Sequence, residues 1–217
     1  MKKSCIFIAL LWVTIATYAQ TKASDDAHVQ YTELIKNHSF EDEVKAIPNR
    51  RFGPNGEGEL FGRPLPPGII SGWIIVNGRE NNSKIETITE NLLDETQHEA
   101  LCWSISKATD ATPEAIANVG NHGIEAVKGG KYTLSFWARS DKQYKGKIRV
   151  GLQNKSDGTW YAQANVRGKI KKKWKKYTIT FTAEQSIENT RFIMAVNKPG
   201  TLYLDEVSLY SPDVTKR

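Results

Sequence analysis

Lys131-Tyr-Thr-Leu-Ser-Phe-Trp-Ala-Arg139 alternates along its whole length. Successive side chains of a strand point to opposite faces. Tyr132, Leu134, Phe136 and Ala138 therefore share one side, and Lys131, Thr133, Ser135, Trp137 and Arg139 the other. The first set reads as a core face. The second is polar except for Trp137. A lone indole among polar groups on a sheet face suits stacking against a flat, apolar-faced ligand such as a sugar ring. The alternative is that Trp137 packs at a sheet edge or under a loop, since single exposed apolar residues are common.

Strand-like runs recur on both sides of this stretch. Residues 32–36, 72–76, 84–89 and 99–105 precede it. Residues 147–153, 160–166, 175–182, 191–196 and 201–210 follow it. Turn signals separate them: Asn77-Gly78, Gly129-Gly130, Ser156-Asp157-Gly158, Gly168 and Lys198-Pro199-Gly200. No segment sustains a helical period, although residues 113–119 leave room for one short helix. Many short strands at this spacing predict an all-β sandwich or barrel. Residues 45–68 break the rhythm, with five prolines and five glycines in 24 residues. A long loop of this kind carries Arg50, Arg51, Phe52, Phe61 and Arg63. It reads either as a loop folded over a binding face or partner, or as a surface insertion.

Lys2 and Lys3, the short apolar run 6–16 and Thr17-Tyr18-Ala19 predict a secretory signal over residues 1–19. The apolar run is too short to span a bilayer, and Cys5 precedes it, which argues against a lipoprotein anchor. A flexible segment over 20–30, a domain over 31–212 and a tail over 213–217 are expected to follow. Removal of the signal leaves 198 of the 217 residues and only Cys102, so the expected exported protein has no intrachain disulfide. Such a fold depends on its core, with help from a metal as an option. The formal charge of +6 falls to +4 without Lys2 and Lys3. Much of the excess sits in Lys169-Ile-Lys-Lys-Lys-Trp-Lys-Lys176. This run reads as a solvated turn before a strand, with Trp174 buried and the lysines outside. Nucleic acid and an acidic polysaccharide are the functional alternatives, and no nucleic-acid-binding motif accompanies the run.

Catalytic signals are weak. His28, His38, His98 and His122 show no metal-ligand spacing. There is no Gly-x-Ser-x-Gly elbow and no phosphate-binding glycine loop. Glycoside hydrolysis needs two carboxylates across a cleft. The acids here cluster at segment ends, and no strand carries them at inward spacing. An independent enzyme is the weaker reading.

Five pieces, in order, resemble one family. Asn37-His-Ser-Phe-Glu41 is similar to the "N-x-S/D-F-E" opening of the carbohydrate-binding modules of families four and nine, the CenC-like modules. Ser71-Gly-Trp73 resembles their Gly-Trp. Gly129 to Arg139 resembles their "G-x-Y-x-L-S-F-x-A-R" strand. Trp174-Lys-Lys-Tyr177 with Phe181-Thr-Ala183 resembles "W-x-x-Y-x-x-x-F-T". Leu202 to Leu209 resembles the closing "L-Y-L-D-x-V-S-L". The similarity is greatest to the N-terminal module of bacterial family 51 α-L-arabinofuranosidases. In those enzymes a catalytic barrel follows, whereas this sequence stops at Arg217. A stand-alone module and a piece of a longer hydrolase both remain open. The insertion between Glu41 and Trp73 is longer than in many relatives.

The resemblance implies a galactose-binding-like jelly roll of two antiparallel sheets, apolar inside and polar outside. It implies a structural calcium, with Glu41 and Asp205 as the matching carboxylates. It also implies binding of a plant cell-wall polysaccharide, arabinose-containing or xylan-like, on a concave sheet. The non-core register of the central strands then supplies Trp137 and Arg139, Arg149 and Gln153, and Tyr161 and Gln163. Trp137 or Tyr161 is expected to stack, with Arg149, Gln153 and Gln163 hydrogen-bonding to hydroxyls. Trp73, Trp103 and Trp174 are expected in the core. A docking domain for a separate hydrolase, or a subunit that completes one, are the other readings.

Overall fold

The alternating stretch forms the central strand β7 (Lys131–Ser140), between β10 (Lys175–Thr182) and β12 (Gly200–Ser211). The structure, a computed structural model, describes residues 32–42, 70–76, 82–118, 123–142 and 144–211. The expected signal, the 20–30 segment, the 45–68 insertion and the 213–217 tail lie outside the described residues. Beyond β12 the first sheet continues through β4 (Ala100–Ile105) to β3 (Ser83–Ile88). The short β1 (Thr32–Glu33) pairs with the end of β12. The second sheet runs β2 (Trp73–Val76), β5 (Glu114–Asn118), β11 (Ile187–Val196), β8 (Ile148–Asn154) and β9 (Trp160–Asn165), with β6 (Ile124–Ala126) beside β11. Every pairing is antiparallel, and among the described residues every regular element is a strand. The protein is an all-β sandwich.

The core lies between the two inner faces. Tyr132, Leu134, Phe136 and Ala138 of β7 are buried, as the alternation requires. Phe136 stacks on Tyr177 at 5.4 Å and Tyr132 on Phe181 at 5.9 Å. Across the sandwich, Val150 and Leu152 of β8 and Phe192, Met194 and Val196 of β11 meet them.

The opening motif and the Gly-Trp motif close one end together. Asn37 and Phe40 take positive φ values of 51° and 63°. The resulting turn aims the Asn37 carbonyl at the Trp73 indole N–H, which donates to it at 3.1 Å. The Asn37 side chain donates to the Ser71 carbonyl and accepts from the Asp42 amide. Phe40 packs on Trp73 at 5.3 Å, and Trp73 meets Phe192 edge-on at 6.2 Å. These contacts repay the strained turn residues, because left-handed backbone costs a non-glycine residue energy.

The closing strand carries a bulge. Its register shifts between Asp205 and Ser208, and Glu206 takes φ 49°. Leu202 and Leu204 face the core before the bulge, and Val207 and Leu209 after it. The freed Val207 amide donates to the His38 carbonyl at 2.8 Å, which ties β12 to the opening turn.

Within residues 113–119, where the sequence left room for a helix, Glu114–Asn118 instead form β5. The run Ala115-Ile-Ala117 has good helical propensity, but β5 is laddered on both sides by β2 and β11. Tertiary pairing overrides the propensity.

Candidate functional site

The outward face of the second sheet has two halves of different character. β11 fills the core with Phe192, Met194 and Val196, so Arg191, Ile193 and Ala195 point outward. Ala115 and Ala117 of β5 and Ile74 and Val76 of β2 extend this into an apolar cluster separate from the main core. Register sets the rows. Ile74, Ala117, Ile193, Gly151 and Gln163 lie side by side, and Val76, Ala115, Ala195, Arg149 and Asn165 form the next row. Arg191, Gln153 and Trp160 form a third. Small apolar side chains therefore make a floor over β2, β5 and β11. Amides, guanidinium groups and one indole make a wall over β8 and β9.

The wall is ordered by its own contacts. Arg191 donates from Nε and Nη2 to Gln153 Oε1 at 3.2 and 2.7 Å. Burial lowers the Arg191 pKa from its ordinary value, and a guanidinium still remains charged at neutral pH. The Arg149 guanidinium lies 5.3 Å from the centre of the Trp160 ring, within cation–π range. Gly151 lies between these two contacts. A Cβ there would meet the Ala162 carbonyl oxygen at 1.9 Å, so only glycine lets β8 and β9 approach this closely.

Arg149, Gln153 and Gln163 thus come together as the strand registers predict. Tyr161 does not join them. The register shifts at Gln153, so that Leu152 pairs with Ala162 but Gln153 with Trp160. Tyr161 packs against the main core, and Trp160 packs against the outward cluster. Simple alternation gives Trp160 the inward side and Tyr161 the outward one, and the bulge exchanges them. Trp137 and Arg139 lie on the other sheet. Trp137 stands opposite Lys176 and Asp205. Arg139 is spoken for: its guanidinium lies 3.6 Å from the Tyr203 ring and 5.3 Å from the Trp174 ring, with Asp141 at 3.8 Å. Trp73 and Trp103 are core residues, whereas Trp174 is only half-buried and donates its indole N–H to the Asn91 carbonyl at 2.9 Å. The sequence leaves open whether Trp160 or Tyr161 points outward, and it does not single out Arg191 or Ile193. The alternation of Phe192, Met194 and Val196 held the signal for the last two.

Ala115, Ala117, Ile193 and Ala195 are only 0–6% exposed, so what this face offers a ligand is the half-buried Trp160 with the exposed Arg149 and Gln163, and these match the two demands of a sugar: C–H faces to stack and hydroxyls to bond. A family model for a carbohydrate binding domain, CBM_4_9, matches residues 32–201. The chain belongs to this carbohydrate-binding family. Solved structures share the fold. The arabinose-bound α-L-arabinofuranosidase MgGH51 superposes with a TM-score of 0.63 at 19% identity, over 86% of this chain and 27% of that one. The chain thus spans about a quarter of that enzyme's length. A CBM4 protein matches with a TM-score of 0.50 at 18% identity, over 82% of this chain and 99% of that one. A cyclase from Fischerella sp. TAU matches with 0.55 at 14% identity, over 86% and 100%. At these identities the likeness is one of fold, and a fold does not fix a ligand. No curated protein matches the sequence.

The carboxylates that the CBM_4_9 resemblance singles out, Glu41 and Asp205, belong to an acidic corner on the first sheet. Asp205 is 0% exposed, and its Oδ2 has no hydrogen-bond partner. Its Oδ1 accepts from the Glu206 amide at 2.8 Å. Burial first, then the nearby negative charges of Glu206, Glu41 and Asp94, push its pKa up from 3.8 to about 7. Glu41 Oε1 accepts from the backbone amides of His98 and Glu99 at 2.6 and 3.3 Å. Among the described residues, no group of three His, Cys, Asp or Glu side chains stands in metal-holding geometry. A buried, unpaired carboxylate oxygen amid other carboxylates has the donor chemistry that a hard cation takes.

Proposed function

We propose that this protein is a noncatalytic module that binds plant cell-wall polysaccharide, arabinose-containing or xylan-like, on the outward face of β2, β5, β11, β8 and β9. The observation that carries this reading is the Arg191–Gln153–Trp160 row with the exposed Arg149 and Gln163 beside it. Trp160 is the stacking ring. Gln153, Gln163, Arg149 and Arg191 bond the hydroxyls. The module is exported and works beside a glycoside hydrolase. Support for that partner is the likeness to one part of a much longer arabinofuranosidase. Among the described residues, no helix is long and apolar enough to cross a membrane. Asp205 and Glu41 hold a structural calcium that pins the opening turn to β12, with His38 to Val207 as the neighbouring tie. Affinity electrophoresis through arabinoxylan, arabinan and β-glucan tests the binding. Retardation on arabinoxylan or arabinan supports the reading, and unchanged migration on every glycan contradicts it.

A further inference from the structure

The lysine run is not a free solvated turn. The Ser140 amide donates to the Lys171 carbonyl at 2.9 Å, and the Tyr144 amide to the Ile170 carbonyl at 3.0 Å. The Tyr177 hydroxyl donates to the Lys169 carbonyl at 3.1 Å. Ile170 is buried between these bonds and bridges to Tyr144. The loop with Lys169, Lys171, Lys172 and Lys173 is thereby clamped to the turn with Lys142 and Lys145. All six lysines are exposed. Among the described residues, none of them is ion-paired to a carboxylate. Asp141 is the carboxylate on that turn, and it faces Arg139. On the adjoining sheet face stand Trp174, Lys176 and, directly across from Lys176, Trp137, with both indoles half-buried.

Six like charges gathered by a fixed backbone repel one another, and physiological salt screens that repulsion only beyond about 8 Å. Such an array concentrates polyanions at its surface. We propose that this pole is a second binding site, for a polysaccharide bearing carboxylates, that is, a uronate polymer. The lysines hold the carboxylates, and Trp137 offers a flat face to the sugar rings beside them. The choice of a sugar polyanion over a nucleic acid rests on the carbohydrate-binding reading. The site is built from the turn after β7 and the loop before β10, not from the strand faces of the second sheet.

The test compares binding of the full chain to sodium polygalacturonate and to the same polymer after carboxyl reduction, at about 20 and about 500 mM NaCl. Duplex DNA is a third arm. The variant is K171Q/K172Q/K173Q, at three exposed positions, with an unchanged thermal melt as the check that the fold is intact. Arg191→Ala marks the other face, with arabinoxylan as its ligand. The proposal expects salt-sensitive binding to polygalacturonate, a loss of about tenfold or more on carboxyl reduction, and a similar loss in the triple variant. It expects the triple variant to bind arabinoxylan as the wild type does. Equal binding to the reduced polymer, an unaffected triple variant, or tighter binding to DNA than to polygalacturonate overturns it. Loss of arabinoxylan binding in Arg191→Ala alone reports on the first site and leaves this result separate.

Discussion

Arg191 grips one oxygen of Gln153 with two donors, at 2.7 and 3.2 Å, on neighbouring strands of the outward sheet face. The pair fixes both side chains before any ligand arrives, which reduces the ordering cost of binding. Arg191→Ala is therefore expected to weaken glycan binding by about tenfold or more, as read by isothermal titration with arabinoxylan oligosaccharides. It also strips Gln153 Oε1 of its donors on a residue that is only 8% exposed. A stability loss of about 1–3 kcal/mol in urea denaturation should accompany it.

Trp160 and Trp137 separate the two faces. Trp160→Ala should weaken binding to neutral glycans about tenfold or more, and Trp160→Phe should restore part of it, because a ring still offers a stacking face. Trp137→Ala should leave neutral-glycan binding unchanged. Affinity electrophoresis of the three variants on arabinoxylan reads both outcomes.

The Trp73 indole ties the opening turn to the core through Asn37, Phe40 and Phe192. Trp73→Ala should cost about 3–5 kcal/mol in chemical denaturation, the range for removing a large buried aromatic. Trp73→Phe should cost less, since it keeps the ring and loses the bond to Asn37.

In a chelator, Asp205 works against the fold at neutral pH. Its folded pKa of about 7 exceeds its ordinary value of 3.8, so the folded state holds the proton more tightly than the unfolded state. Its contribution is fully present below the ordinary value and is lost as pH rises towards about 7. Melting of the metal-free protein should show that fall, and Asp205→Asn should flatten it. Calcium at neutral pH should raise the melting temperature of the wild type and not of Asp205→Asn. Equal calcium responses in the two proteins count against a cation at this corner.

Local alternation made much of this molecule legible. Tyr132, Leu134, Phe136 and Ala138 needed no partner strand to be placed, and Val150 and Leu152 followed the same rule. Arg149, Gln153 and Gln163 then fell on the outward face. Bulges marked the limit. The exchange of Trp160 and Tyr161 depends on where β9 slips against β8, which is a property of two strands together. β5 was hidden for a related reason: Ala115 and Ala117 are strand residues because β2 and β11 flank them. Trp174 was read as core from its apolar neighbours, but its ring turns towards Arg139 and the Asn91 carbonyl.

Sugar binding on the outward face of the second sheet can be read atom by atom in solution. The direct measurement is a two-dimensional 15N correlation spectrum of the protein, titrated with a panel of arabino- and xylo-oligosaccharides. Binding on this face should give its largest shifts at the Trp160 indole N–H, the Gln153 and Gln163 side-chain amides and the Arg191 Nε–H. Shifts confined to the Trp137 and Trp174 indoles, or no shift with any neutral glycan, would contradict it.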